Sequence, residues 1–290
     1  MKIGIVGASG KLGRLVLDHL MDLAPAEDII AITRTPETLA AYAERGIDVR
    51  TADYDAPETL EKAFTDVERL LLIPSMAGPA DRREQYDNAV RSARYAGVKH
   101  LLTFTMSGTS PGNPFLMTPA FVYAEMSLFQ SGMAWTIMRN GPYADEFVDW
   151  LPSVLELGTV PYPTGDGKAA YVARDDIARA AATVLAGESH EGKIYELVGP
   201  ELLTTEDLCT VVAEVTGEHI VYVPAEPGDY VQICLEEGVP EERAVILATM
   251  YVAIAQHKME VRLGAIERLT GTPPRSVREL LAERVASAQP

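Results

Sequence analysis

The sequence predicts an α/β fold, a doubly wound parallel sheet with a smaller, mainly helical C-terminal lobe. Three observations lead there. The apolar run Ile3-Gly4-Ile5-Val6 passes directly into Gly7-Ala8-Ser9-Gly10-Lys11-Leu12-Gly13 and then into a helical pattern. Through the first half, short apolar runs alternate with helical windows, the signature of parallel strands joined by crossover helices. From Thr204 onward helical patterns dominate.

In chain order, the first strand is read at 2–7, and Leu12, Leu15, Val16, His19, Leu20 and Leu23 form one face of a helix over 11–23. Short apolar runs then mark strands at 29–33, 48–51 and 69–73, with helical windows at 36–43 and 57–64, the latter started by Pro57. Helices at 82–96 and 120–131 stop at Ala96-Gly97-Val98 and Ser131-Gly132-Met133, where glycine takes the left-handed cap before strands at 100–105 and 136–139. Residues 144–168, with prolines and a glycine clustered in 157–163, read as an excursion. A strand at 170–172, a helix over 174–186 opening on an Asp175-Asp176 cap, and a strand at 193–198 returning to the main sheet follow. A helix over 205–216 starts from a capping box pairing Thr204 or Thr205 with Asp207 or Leu208, and further helices cover 227–237, 240–258 and 277–286. Residues 1–143 and 169–199 are thus read as a dinucleotide-binding unit of Rossmann type, and 144–168 with 200–290 as a substrate-binding lobe.

Composition narrows the partners. The net charge of −17, from 25 basic and 42 acidic residues, disfavours a nucleic-acid surface or an anionic membrane face. The expected partner is a small molecule. Cys209, Cys234 and five scattered histidines make no metal or redox spacing, so no metal is expected. The chain enters a strand after Met1-Lys2, which leaves no room for a signal peptide, and the apolar stretch 244–255 is short for a bilayer span. With unpaired thiols, this predicts a cytoplasmic protein. The helix over 241–258 faces either its own core or a partner, so monomer and homodimer both stand.

The site is read along the carboxyl edge of the sheet. Gly7 allows the tight turn, Gly10 lets backbone approach a pyrophosphate, and Gly13 lets the helix pack closely; Ser9 and Leu12 complete the loop, whose helix turns its amides and positive end toward phosphate. The second strand ends Ile32-Thr33-Arg34, with a base where an NAD-selective site often has an acid. Arg34, helped by Lys11, favours NADP(H) over NAD(H), the alternative being two solvated charges. Asp53 accepts from an adenine amino group or is merely solvated, with Asp55 capping the next helix. Ile73-Pro74-Ser75 and Thr105 with Ser107 end the fourth and fifth strands at the same edge. Asn140, Pro142 and Tyr143 follow the sixth and face the nicotinamide end, with Tyr143 either hydrogen-bonding the acceptor or packing under the excursion. Phe147 and Trp150 form an apolar wall or anchor that excursion. No flavin is expected.

The chain resembles an atypical short-chain dehydrogenase/reductase of the NmrA-like group, nearest its bacterial quinone- and dye-reducing members. The resemblance rests on Gly7–Gly13, Thr33-Arg34, Leu70–Ser75, Ser131 to Tyr143, Tyr171 to Ala178 and Thr270 to Arg275, which span nearly the whole chain. The run from Ser131 to Tyr143 is specific; the glycine loop alone is not. Typical short-chain dehydrogenases carry a Tyr-x-x-x-Lys pair on the fifth helix. Counting back from Glu125, the resemblance puts Phe121 at the lysine position and Met117 at the tyrosine position, and neither can donate a proton. This implies reduction of a planar, electron-poor acceptor such as a quinone or dye, in which positioning supplies the rate and water the proton. The rival reading is an NADP-binding redox sensor without turnover. Arg139 is read as an ion-pair partner of Glu125, and Arg174-Asp175-Asp176 as a brace between the lobes.

Overall fold

The structure, a computed structural model, describes residues 1–288; positions 289–290, the end of the lobe read as 200–290, lie outside the described residues. The elements run β1 (Ile3–Val6), α1 (Lys11–Met21), β2 (Ile29–Thr33), α2 (Ala40–Glu44), β3 (Asp48–Thr51), α3 (Pro57–Ala63), β4 (Arg69–Leu72) and α4 (Pro79–Ala96). Then come β5 (His100–Met106), α5 (Thr118–Gln130), β6 (Ala134–Asn140), α6 (Ala144–Asp149), α7 (Leu151–Leu157), β7 (Thr159–Val160), α8 (Arg174–Ala186) and β8 (Lys193–Leu197). The chain closes with α9 (Thr205–Thr216), β9 (Val221–Tyr222), α10 (Pro227–Glu236), α11 (Glu241–Ala255), α12 (Ala265–Thr270) and α13 (Val277–Ala288).

Seven strands form one sheet in the order β3-β2-β1-β4-β5-β6-β8. Every pairing in it is parallel. Alternate side chains therefore feed two cores. Ile3, Ile5, Ala31, Leu71 and Met138 meet α1, α8 and α12 on one face, while Val6, Ile32, Leu70, Leu72 and Ile137 meet α3, α4 and α5 on the other. The strand order reverses between β1 and β4, which opens a crevice at their carboxyl ends.

A third core lies beside the sheet, built from α6, α7, α9, α10, α11 and α13. Stacked Tyr162 and Tyr251 (centroids 4.3 Å apart), with Tyr230 edge-on to both, sit at its centre. Helix α5 belongs to two cores: Ala120 and Phe121 point into the third, Ala124 and Leu128 into the sheet's. Helix α11 buries Ala244, Ala248, Tyr251 and Ile254 in its own lobe.

Several expectations change. Residues 170–172 form no strand of the sheet; the segment makes only isolated bridges outside it, Tyr143 to Val172 and Ala169 to Leu203, with Tyr171 in the third core and Val172 in the core of α1 and α8. The excursion holds two helices, α6 and α7, and the short strand β7: Gly158 is the left-handed stop of α7, and Pro161 and Pro163 follow β7. Window 36–43 is a tight 3-10 turn followed by a short helix. The cap of α8 is not Asp175 or Asp176, since Ala173 holds the N-cap position and the Arg174 amide donates to Asp145 Oδ2 (2.8 Å) from α6. The box before α9 is formed by Thr204 and Asp207. Among the described residues, no helix is long and apolar enough to cross a membrane.

Candidate functional site

The glycine loop leaves β1 at Gly7 (φ +82°), whose amide donates to the Ile32 carbonyl at 3.0 Å and so ties the turn to β2. A side chain at Gly13 would drive into the Gly7 carbonyl oxygen and lie 2.8 Å from the Ala8 Cα, so the close seat of α1 on the loop requires glycine. Gly10 caps α1 without any side-chain hydrogen bond, and no acidic residue stands in the first turn. The first ladder bond runs from Arg14 to Gly10 (3.0 Å). The amides of Lys11, Leu12 and Gly13 therefore point out of an uncapped helix end, where an anion is favoured. Lys11 is exposed and 4.0 Å from Asp149.

Ser9 Oγ lies 2.7 Å from Thr33 Oγ1, and that oxygen also accepts from the Thr35 amide (3.2 Å). Beside these hydroxyls stands Arg34, 71% exposed and 4.0 Å from Asp53 Oδ2. Arg34 and Asp53, read separately from the sequence, are neighbours. Asp55 caps nothing: Asp53 Oδ1 accepts from its amide at 3.1 Å, and its own carboxylate accepts from Gln85 Nε2 at 3.0 Å.

Ile73 lies against Gly7 across the β1–β4 crevice, its carbonyl accepting from Tyr54 Oη at 3.0 Å. Pro74 and Ser75 line a small crevice with Tyr54, Arg82, Gln85 and Tyr86. The Ser75 hydroxyl is taken by Gln85 Oε1 (2.5 Å). Thr105, expected to present its hydroxyl at the edge, is buried and donates to Glu125 Oε1 (2.9 Å) on the α5 side of the sheet. Glu125 in turn forms a two-pronged pair with Arg139 (2.8 and 2.6 Å), and Arg139 also reaches Glu196 at 3.3 Å. The ion pair read from the sequence is present and structural.

At the other end of the edge, Ser107 donates its amide to the Asn140 carbonyl (2.8 Å). Ser107 Oγ and Asn140 Oδ1 are buried with no partner. Such atoms are few in a folded protein; the others are His100 Nδ1, Glu196 Oε2 and Tyr230 Oη, so among the described residues only this pair lies at the carboxyl edge beside Tyr143. Pro142 accepts from the Val172 amide at 2.9 Å. Tyr143 is half-buried beneath the Arg174 guanidinium, 4.4 Å from its ring centre. Burial raises the Tyr143 pKa, with Asn140 and Arg174 pulling it down, so the phenol keeps its proton at neutral pH. Arg174 is itself held by Glu146 (2.8 Å), and Arg275 pairs with Asp175 (3.3 Å) and Asp176, which makes this cluster the brace between lobes. Phe147 is buried edge-on to Tyr162 (6.5 Å) and serves as an anchor of α6.

Met117 and Phe121 are buried in the third core, at the joint between the lobes. The sequence offered no signal for Thr35, Gln85 or Arg82. Arg82 stands in the first turn of α4, and only tertiary packing brings its guanidinium within 5.7 Å of the Phe121 ring centre. An open groove of about 400 Å³ on the outer side of α5, lined by Arg83, Asn113 and Tyr123, contains none of the predicted site residues.

An NAD(P)H-binding family model matches residues 7–188. The quinone oxidoreductase 2 of Escherichia coli is 34% identical over 277 residues, 96% of each chain. An NmrA-like family domain-containing oxidoreductase of Aspergillus flavus is 29% identical and covers 98% of this chain and 96% of its own. The crystal structure of the Citrobacter sp. triphenylmethane reductase complexed with NADP(H) superposes with a TM-score of 0.91 at 33% identity, covering 98% of this chain and 100% of that one.

Proposed function

The chain belongs to the NmrA-like NAD(P)H-binding family, and on that premise we propose that it is an NADPH-dependent reductase of a small, planar, electron-poor acceptor of the quinone or dye kind. The observation that carries this reading is the sheet edge itself. At one end it offers uncapped helix amides beside Arg34; at the other, the unpartnered Ser107 and Asn140 oxygens beside Tyr143.

The loop from Gly7 through Ser9, Gly10, Lys11, Leu12 and Gly13 holds the pyrophosphate, Arg34 the 2′-phosphate and Asp53 the adenine. Ile73, Pro74 and Ser75 flank the crevice, with Thr105 contributing backbone, and Ser107 and Pro142 close on the nicotinamide end. Bound there, the cofactor supplies hydride. The protein's own part is to orient the acceptor: the Asn140 side chain and the protonated Tyr143 phenol hydrogen-bond its oxygen or nitrogen. The resemblance puts Met117 and Phe121 at the positions of a Tyr-Lys pair, and on that reading the finishing proton comes from water, which an acidic product such as a hydroquinone tolerates. Residues 144–168 and 200–290 serve as the lobe that covers the acceptor.

NADPH oxidation measured with a panel of neutral quinones, azo compounds and triphenylmethane dyes tests this. Turnover with at least one class, faster with NADPH than NADH, is expected. Tight NADPH binding without turnover on any acceptor overturns the reductase reading in favour of a sensor.

A further inference from the structure

Arg82 is the half-buried cation that the function above leaves unused. Its Nε donates to the Ala77 carbonyl at 2.9 Å, which fixes the guanidinium at the start of α4. Within the described residues its two terminal nitrogens make no hydrogen bond, and no carboxylate lies within 4.0 Å. Arg139, Arg174, Arg179 and Arg275 each hold at least one. In a chain with 42 acidic and 25 basic residues, a guanidinium with no carboxylate partner inside a crevice is costly, its desolvation offset only by the Ala77 carbonyl and the Phe121 ring.

Its surroundings are aromatic, in the small crevice that Tyr54, Pro74, Ser75 and Tyr86 also line. The Phe121 ring is 5.7 Å away, and the Tyr86 hydroxyl is already spent on Thr103 (3.0 Å). Tyr143 is near enough to influence Arg82's ionisation. Burial lowers the Arg82 pKa, yet from so high a value that the charge persists. Phe121 is the residue assigned to the lysine position of typical short-chain dehydrogenases, so a cation from α4 stands beside the place where α5 lacks one.

We propose that Arg82 is the site's charge selector: it stabilises the negative charge a neutral acceptor gains on taking up hydride, and it disfavours acceptors that are cations. The inference rests on the reductase reading. A neutral quinone that takes up hydride gains two electrons and one proton and becomes the hydroquinone monoanion, while the nicotinamide leaves oxidised; water later protonates the second oxygen. A cationic triphenylmethane dye that takes up the same hydride becomes neutral. A fixed guanidinium lowers the barrier of the first reaction and opposes binding in the second.

The test uses the full chain and its Arg82→Gln and Arg82→Lys variants. Its first arm needs no turnover. A planar dinitrophenolate, an anion at neutral pH, and the uncharged dinitroanisole are titrated against the protein saturated with NADP⁺. Arg82→Gln should weaken the phenolate about tenfold or more and the anisole by less than about twofold, with Arg82→Lys recovering most of the difference. In the second arm, kcat/KM on a neutral quinone should fall about 10- to 100-fold while that on a cationic dye holds or rises. Equal losses on both ligands or both acceptors overturn the proposal. So does a fall of more than about threefold in NADPH affinity, which would make Arg82 a cofactor contact. If the wild type turns over no acceptor, the reductase reading falls, and the phenolate–anisole pair still decides whether Arg82 selects charge.

Discussion

Replacing Arg34 by alanine should cost NADPH binding and spare NADH. In the structure Arg34 is 71% exposed and its one carboxylate neighbour, Asp53, is 37% exposed at 4.0 Å. A pair that open to solvent is worth about 0–1 kcal/mol. Charge-assisted hydrogen bonds from the guanidinium fork to a 2′-phosphate are worth about 1.5–3 kcal/mol. Releasing Asp53 offsets up to about 1 kcal/mol of that, which leaves about 0.5–3 kcal/mol, or a weakening of about 2- to 160-fold in Kd. NADH has no 2′-phosphate, so its Kd should move by less than about twofold. Arg34→Lys keeps a point charge without the fork and should fall between. Dissociation constants from the fluorescence of the bound reduced nucleotide measure all three. Equal weakening of NADPH and NADH would refute the assignment, because it would make Arg34 a support of the loop and not a reader of the phosphate.

Two further outcomes concern the scaffold under the site. Arg139→Leu strands Glu125, 5% exposed, and Glu196 without their cation, and should cost about 3–5 kcal/mol in urea unfolding. Glu125→Gln should cost clearly less, since Arg139 keeps Glu196 and Thr105 keeps an acceptor; the reverse order would show that the triad is not held together by its arginine. On the far edge of the sheet, burial lowers the pKa of His100 and His190, with Glu191 opposing and Arg69 reinforcing the shift. The folded state then binds fewer protons than the unfolded chain. Stability should be full above the unfolded value of 6.5 and fall as pH drops through it, by at most about 1.4 kcal/mol per pH unit for His100 and less for His190. Glu196, whose pKa is raised by burial, acts in the opposite sense at lower pH. Urea midpoints across this range should fall less steeply in His100→Gln; an unchanged slope would place the acid sensitivity elsewhere.

Local pattern carried far into the fold. Strands β2 and β3 and helices α8 and α9 have the bounds their patterns predict; β2 is buried along its whole length, and the Thr204–Asp207 box marks the start of α9. The Glu125–Arg139 pair was also legible, as two charges on adjacent buried elements that need each other. Reading failed where a segment answers to tertiary neighbours. Residues 170–172 look like a strand because they are apolar, yet their apolarity serves the joint between cores. The prolines and glycine of 157–163 look like loop, yet Gly158 stops a short helix and Pro161 follows a short strand. The α8 amide is capped from α6, 29 residues away.

By itself, then, the sequence determined the glycine loop and the base that follows the second strand. Gly7 and Gly13 have local reasons to be glycine, and Arg34 follows its strand directly, so spacing alone places them together. The end of the edge proposed for the acceptor was decided only by tertiary structure. Arg82 comes to Phe121 across two helices, Thr105 turns to Glu125, and Ser107 and Asn140 lose their partners, and each depends on how α4, α5 and the lobe close over the sheet. Spacing along a chain encodes contacts within a turn or between adjacent strands. It does not encode which charge is left unpaired when separate elements meet.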